Sequence, residues 1–274
     1  MIKAVVSGAA GRMGSRIISL MAESDDFQLV GAIEAPGHPA LGQPVNLPGG
    51  ELMIEDDLNK LLGGADVIVE FSLPQASLEH LDLARAQGTA MVIGTTGFSP
   101  AEQKRLEELG RQVPCLVSPN MSLGVNLMYG LLEQAALALG EDYDVEICEA
   151  HHRMKEDAPS GTALKMAEVV AAALGRDLDK VAVYQRKGRI GIRSAKEIGI
   201  QSIRAGDIVG EHTVLFAGGG ERLEIVHRAH SRDTFARGAL RAARWVVGQS
   251  KGLYNMQDVL GLTALRGRSL GRCP

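Results

Sequence analysis

Seven consecutive residues, Gly8-Ala9-Ala10-Gly11-Arg12-Met13-Gly14, constrain the fold more than any other stretch of the chain. They follow a short apolar run, Ile2 to Ser7, and lead into a helical pattern from Ser15 to Ala22. A strand that turns through glycines into a helix gathers unpaired backbone N–H groups and the positive end of the helix dipole at one point. A second apolar run, Gln28 to Ile33, ends at Glu34, 20 residues beyond Gly14. A dinucleotide-binding βαβ unit needs this arrangement: glycines that admit a pyrophosphate, a helix N-terminus facing it, and an acid for the ribose hydroxyls. The loop spells GxxGxxG where GxGxxG is commoner, and a plain glycine-rich turn or a solvated Glu34 would be the alternatives. The spacing to Glu34 favours a nucleotide.

The pattern continues as strand and helix in alternation. Pro36 to Pro48 reads as a loop and Asp56 to Leu62 as a short helix. Ala65 to Ser72 and Met91 to Ile93 read as buried strands, and Pro74 to Gln87 as a helix opened by proline. Ser99 caps a helix with Pro100 at its first position, running to Gln112, and Pro114 to Val117 is the next strand. The expected class is α/β, with a doubly wound, Rossmann-type parallel sheet. In such a sheet the ligand lies across the carboxyl ends of the strands. That rule collects Gly8, Ala9, Ala10, Gly11, Arg12 and Met13, then Glu34, then Gly94, Thr95 and Thr96, then Ser118, Pro119, Asn120 and Met121 as cofactor-binding candidates. Alone, each of the last two groups suits an ordinary turn.

After a helix from Leu123 to Leu139 the texture changes. Strand-like runs at Tyr143 to Ala150, Val181 to Tyr184, Ile198 to Arg204, Glu211 to Phe216 and Leu223 to His230 lie close together, the later ones joined by glycine-rich turns. They imply an α+β unit with a mixed or antiparallel sheet. Asp233 to Val247 is helical again, and Thr263 to Pro274 reads as a loose tail.

Between the strand 143–150 and a helix over 161–174 stands Glu149-Ala150-His151-His152-Arg153-Met154-Lys155-Glu156-Asp157-Ala158-Pro159-Ser160-Gly161-Thr162-Ala163. Two imidazoles and an ammonium can exchange protons or hold an anion near neutrality. Ser160 is the expected N-cap, and the helix start at Gly161-Thr162 favours a carboxylate or phosphate. The plain alternative is a solvated polar turn. His151 and His152 point to opposite sides of an extended segment, so His152 also suits a structural role. A metal site from Glu149, His151, His152 and Asp157 is disfavoured, because adjacent ligands diverge; no metal is expected. His212, His227 and His230 read as sheet-surface residues. Cys115 and Cys148 read as core residues, against a cysteine nucleophile.

Composition closes off other classes. The chain has 274 residues, about two domains' worth, and a net charge of −4. That balance gives no general attraction to nucleic acid or to an anionic membrane. Three cysteines without CxxC spacing argue against a disulfide framework and for a reducing cytoplasm. Met1-Ile2-Lys3 shows no signal-peptide pattern, and the longest apolar run, Met121 to Leu139, is interrupted by Asn126, Glu133 and Gln134.

With the glycine loop, Glu34, GTTGF at 94–98 and EAHHRMKEDAPSGTA at 149–163 on one chain, the sequence resembles the dihydrodipicolinate reductases. These are the 4-hydroxy-tetrahydrodipicolinate reductases of lysine and diaminopimelate biosynthesis. The resemblance runs from Ile2 to about Leu262 and includes RAGDIVGEH at 204–212 and GLYNMQDVL at 252–260. It implies a dinucleotide-binding domain of residues 1–122 plus 232–274, and a substrate-binding and tetramerisation domain of residues 123–231. It implies hydride transfer from NAD(P)H to a small dicarboxylate, with His151 as general acid/base and Lys155 as a proton-donating, substrate-binding lysine. His152 and the Gly161-Thr162 backbone fall where the substrate's carboxylates are bound, with Ser160 heading the same cradle. Arg232 could reach the substrate. Family members that use NADPH well carry a basic residue after the acid. Here that place holds Ala35, followed by Pro36 and Gly37, so NADH is expected to be preferred, with NADPH also used. A homotetramer is expected, with no nucleic-acid or membrane partner. The competing readings are another two-domain NAD(P)H oxidoreductase of a small acid, and a non-catalytic nucleotide-sensing protein.

Overall fold

The computed structural model describes residues 1–47 and 50–263. The chain divides into two compact units, one formed by Met1–Leu123 with the segment from Asp233 onward, the other by Gly124–Arg232.

The first unit opens with β1 (Ile2–Ser7), α1 (Arg12–Ala22), β2 (Phe27–Ile33), β3 (Pro44–Leu47), β4 (Gly50–Glu55) and α2 (Asn59–Leu62). It continues with β5 (Val67–Glu70), α3 (Pro74–Gln87), β6 (Ala90–Ile93), α4 (Pro100–Gly110) and β7 (Pro114–Val117). The second unit holds α5 (Leu123–Leu139, its first residue in the first unit), β8 (Asp144–His151), α6 (Gly161–Ala173) and α7 (Leu178–Val181). Then come β9 (Ala182–Val183), β10 (Ile198–Arg204), β11 (Gly210–Ala217) and β12 (Arg222–Ala229). The chain returns to the first unit with α8 (Asp233–Val246), β13 (Gly252–Tyr254) and α9 (Met256–Val259).

The first unit's eight-stranded sheet has the order β13-β7-β6-β5-β1-β2-β4-β3. Its pairs are parallel except β3 with β4. Both faces are covered, which explains the unbroken apolar strands. Ala4 and Val6 pack on one side with α1 and α8, while Val5, Ile68, Met91 and Ile93 pack on the other with α3 and α4. Helix α8 is an alanine-faced wall, with Ala236, Ala239, Ala242 and Ala243 buried against α1 and the sheet. Arg16 of α1 clamps Asp233 at the start of α8 with two hydrogen bonds of 2.6 Å. Ser99 and Glu102 form a reciprocal capping box at α4.

The second unit has a five-stranded mixed sheet, β12-β11-β8-β10-β9, antiparallel at β12/β11 and β11/β8 and parallel at β8/β10 and β10/β9. Its core sets Val145, Ile147, Ile198, Ile200, Val214 and Phe216 of the sheet against Leu132, Met166 and Val170 of α5 and α6.

Some elements differ from the sequence expectation. Pro44–Leu47, expected within a loop, is a strand, because Val45 pairs across from Leu52 and ties a small hairpin to the sheet. Val181 closes a short helix rather than opening a strand, and β9 keeps only the two residues that reach β10. Helix α1 starts at Arg12, so the second half of the glycine loop is its first turn. Strand β13 was not foreseen; it adds Leu253 beside Cys115 at the sheet edge. All but the first residue of the expected tail, 263–274, lies outside the described residues.

Candidate functional site

Two clusters of the sequence-predicted residues form, one in each unit. In the first, the ends of β1, β2, β6 and β7 gather along one rim. Gly8 has φ +72°, and a Cβ on it would lie 2.3 Å from the Phe71 carbonyl oxygen. A Cβ on Gly14 would lie 2.1 Å from the Gly8 carbonyl oxygen. Glycine is required at both places, so the loop folds flat onto its own helix start, with Gly11 as N-cap. The Gly8 and Ala9 amides donate to the Ile33 carbonyl, at 3.0 and 3.1 Å. Glu34, the next residue, accepts from the Ala10 amide at 2.8 Å. That bond fixes one carboxylate oxygen on the loop. Arg12 and Met13 lie in the first turn of α1.

The neighbouring loops are braced from beneath. Gly94 is a packing glycine, since a Cβ there would meet the Phe71 ring at 2.2 Å. Thr95 is buried, and its hydroxyl oxygen accepts from the Ser72 amide at 3.1 Å and the Ser77 hydroxyl at 2.8 Å. Thr96 lies in the wall of a cleft of about 470 Å³, with Phe98, Pro119 and Tyr254. The Ser118 hydroxyl donates to the Asn120 carbonyl at 2.8 Å. Met121 is buried under α8, where a Cβ on Gly238 would lie 1.8 Å from the Met121 carbonyl oxygen. Two residues under this rim were not singled out from sequence. Glu70 is fully buried and accepts from the Ser72 amide at 2.9 Å, with His80 Nδ1 2.7 Å from its other oxygen. A carboxylate inside the apolar run ADVIVEFS was the signal for it.

The second cluster stands at the end of β8. His151 is its last residue, and Nδ1 lies 2.6 Å from Glu149 Oε2. Glu149 is fully buried. It receives Arg204 Nη1 and Nη2 at 2.8 and 2.7 Å and the Ser160 amide at 3.1 Å. Burial alone would raise the Glu149 carboxyl, but hydrogen bonds from His151, Arg204, Ser202 and Ser160 outweigh it and hold the group well below the usual range. His212 sits across from Glu149 on β11 and packs edge-on to His151, ring centroids 5.2 Å apart. It was expected at the sheet surface. It is instead buried, because it shares the helix-covered face of β11 with Val214 and Phe216, two and four residues on. Burial, with the nearby His151, pushes its pKa down to about 3, so it stays neutral.

Lys155 lies on the loop after β8 and binds Asp157 with bonds of 2.7 and 2.9 Å, which lowers the Asp157 carboxyl. Arg204 ties that loop down by donating to the Asp157 carbonyl at 2.7 Å. The His152 amide donates to the Ile208 carbonyl at 2.7 Å. Ser160 caps α6 by accepting from the Ala163 amide at 3.1 Å, and the same hydroxyl lies 3.1 Å from His212 Nε2. With its amide also on Glu149, buried Ser160 shapes the start of α6 from within, leaving Gly161 and Thr162 as the first-turn residues beyond it. Cys115 is buried, its thiol pushed up to about 12 by burial, whereas Cys148 is half-buried on the other face of β8. Among the hydrogen bonds of this cluster formed by the described residues, none comes from Arg232. Among the described residues, no group of three or more His, Cys, Asp or Glu side chains is placed to hold a metal ion, and no helix is long and apolar enough to cross a membrane.

Residues 2–121 match the family described as "Dihydrodipicolinate reductase, N-terminus", and residues 124–260 match "Dihydrodipicolinate reductase, C-terminus". The 4-hydroxy-tetrahydrodipicolinate reductase of Syntrophus aciditrophicus is 57% identical over 265 residues, covering 95% of this chain and 99% of the relative. That of Syntrophobacter fumaroxidans is 56% identical over 266 residues, covering 96% and 100%. A solved structure, the dipicolinate-bound dihydrodipicolinate reductase from Paenisporosarcina sp. TG-14, superposes with a TM-score of 0.76 at 26% identity, covering 94% of this chain and 98% of that one. A glycine rim in one unit and a histidine–carboxylate cluster in the other thus coincide with matches that run through both units, and the chain belongs to the dihydrodipicolinate reductase family.

Proposed function

We infer that this protein reduces 4-hydroxy-tetrahydrodipicolinate to tetrahydrodipicolinate, with loss of water, in lysine and diaminopimelate biosynthesis. The observation that carries the reading is the cluster at the end of β8. It pairs a histidine already bound to an ionised carboxylate with a lysine and a helix N-terminus, a receptor suited to a small dianion. The relative from Paenisporosarcina binds dipicolinate, a dicarboxylate of the same ring skeleton.

The rim of the first unit fits a dinucleotide. Its backbone is cleared of side chains at Gly8, Gly11 and Gly14, and Glu34 is held by the Ala10 amide, leaving a carboxylate oxygen for ribose hydroxyls. Residues 94–96 and 118–121 would hold the nicotinamide half. A bound dihydronicotinamide supplies the hydride. His151 then gives a proton to the charge that develops on the substrate ring, acting through Nε2, since Nδ1 is engaged by Glu149. Lys155 holds a carboxylate and stabilises that charge, with His152 and the Gly161-Thr162 backbone completing the dicarboxylate site.

NADH is the preferred reductant on this reading. Glu34 is charged where a 2′-phosphate would sit, and Ala35, Pro36 and Gly37 offer that phosphate no cation. Substrate generated in situ should cause stoichiometric single-turnover oxidation of NADH. No turnover with that substrate would reject the function, and a clearly higher kcat/KM with NADPH would reject the preference alone.

The second unit is also the assembly surface in this reading. Ile203 at the end of β10, and Leu223 and Val226 on the edge strand β12, are exposed, and proteins normally cover such edges. A homotetramer is expected at micromolar concentration, and a monomer mass by light scattering would reject it.

A further inference from the structure

We propose that Glu149 is the positioning residue of the reaction: it fixes which nitrogen of His151 exchanges protons, and through Arg204 it also sets the loop that carries Lys155. The proposal rests on the reading that His151 is the proton donor, and adds a residue to it.

An ionised carboxylate is an acceptor only. Glu149 accepts from both terminal nitrogens of Arg204, from the Ser160 amide, and from His151 Nδ1. Three of these contacts come from groups that always carry hydrogen, so a proton on Glu149 would face a donor. Among the described residues, Arg204 is the one lysine or arginine in ion-pair contact with the carboxylate, and the pair is bidentate, the geometry in which a guanidinium fork matches a carboxylate. The proton in the 2.6 Å contact with His151 therefore sits on Nδ1. That leaves Nε2 as the nitrogen that gives or takes a proton.

The strand arrangement leaves room beside Nε2 for want of one side chain. Gly210 starts β11, and a Cβ on it would lie 3.1 Å from His151 Nε2. A side chain there would press on the atom that must meet substrate. The other groups around the ring are fixed as well. His212 on β11 is neutral and edge-on, Arg204 on β10 lies beside His151 in register, and Lys155 on the following loop is held by Asp157.

The same carboxylate reaches the second catalytic group. Arg204, anchored on Glu149, donates to the Asp157 carbonyl at 2.7 Å, and the Asp157 carboxylate takes Lys155 Nζ at 2.7 Å. Glu149, Arg204, Asp157 and Lys155 form one continuous path. Glu149 touches neither reacting atom, so it acts by orientation.

The test uses the full-length protein labelled with ¹⁵N-histidine, together with Glu149→Gln and Glu149→Asp. Long-range ¹H–¹⁵N spectra read the tautomer directly. Wild type should show neutral His151 protonated on Nδ1. Glu149→Gln should lose that fixed tautomer and lower kcat by about 10²–10⁴-fold, the range for a misaligned general acid, with NADH affinity unchanged. Glu149→Asp, which keeps the charge on a shorter arm, should recover part of the rate. Wild type with His151 protonated on Nε2, or Glu149→Gln with wild-type kcat, would overturn the proposal. If neither variant folds, the wild-type spectrum still decides it. Full activity in His151→Gln would instead reject His151 as the proton donor, while the spectrum would continue to report on Glu149.

Discussion

The glycine rim and the histidine cluster both stand at the ends of strands, yet they are built by opposite means. The rim is made by leaving side chains out. Gly8, Gly14, Gly94 and Gly238 each sit where a single Cβ would run into a neighbouring carbonyl or ring. The cluster is made by putting charge in. Glu149 is fully buried and His212 nearly so; both Glu149 oxygens are answered by His151, Arg204 and the Ser160 amide, whereas His212 Nδ1 and Arg204 Nε have no hydrogen-bond partner among the described residues. A steric site fails through volume, and an electrostatic one fails when a charge loses its partner. The two regions should therefore separate kinetically, the rim setting cofactor affinity and the cluster setting the chemical step.

The largest expected effect is in the cluster. His151→Gln keeps the size and a polar end but cannot supply the proton, so kcat should fall by about 10²–10⁴-fold with little change in KM. Lys155→Ala should lower kcat and raise KM together, because the ammonium binds the ground state as well as the transition state. Both variants should titrate NADH like wild type. Gly14→Ala is the opposite case. Its new methyl would lie 2.1 Å from one backbone atom and 2.9 Å from another, neither free to swing away. Overpacking typically costs about 1–3 kcal/mol, so NADH affinity should weaken roughly ten- to a hundredfold. Equilibrium NADH titration and steady-state kinetics on the three proteins give the crossed comparison. Should His151→Gln lose NADH binding, or Gly14→Ala lose kcat at saturating NADH, the division between the regions would collapse.

The rim was the more legible region from sequence. Glycine spacing and a strand-end acid are local features, and the backbone geometry that requires them spans only a few residues. Gly8, Gly14 and Glu34 could be read from spacing alone, because each acts on neighbours the βαβ unit brings to it. Gly238 could not be, since its reason is the Met121 carbonyl, more than a hundred residues away in the chain. The cluster was half legible. The motif showed His151, Lys155 and the helix start, all on one loop. It did not show Arg204 or His212, which arrive on β10 and β11 through register. His212 was misjudged because a lone histidine in an alternating strand gives no sign of which face the helices will cover. Glu149 was visible only at the head of the motif and as a disfavoured metal ligand, and its burial depends on strands that had no predicted pairing.

The smallest effect concerns stability, and it separates a charge-built site from a volume-built one without any ligand. His212 has an ordinary pKa of about 6.5 when unfolded. In the fold it is pushed down to about 3, by burial first and by the neighbouring His151 second. Glu149 and His151 face it from β8, His227 from β12, and Lys155 from the loop. Above pH 6.5 His212 is neutral in both states, and its burial carries no protonation penalty. Below pH 6.5 the unfolded chain takes up a proton that the folded chain refuses, so stability falls as pH falls, until the folded residue also titrates near 3. One such group gives a slope approaching about 1.4 kcal/mol per pH unit. His227, lowered by burial as well, adds in the same direction. Glu149, and Asp26, which Arg244 and Ser24 hold low by hydrogen bonds, add losses only further down, as pH falls through the ordinary carboxylate range. The window from pH 6.5 to 5 thus belongs to the histidines. Urea unfolding at fixed protein concentration should show stability dropping across that window in wild type and dropping less steeply in His212→Gln. Equal slopes in the two proteins would mean that the buried histidine is not held neutral by the fold, and the cluster would then owe less to charge than the rim owes to volume.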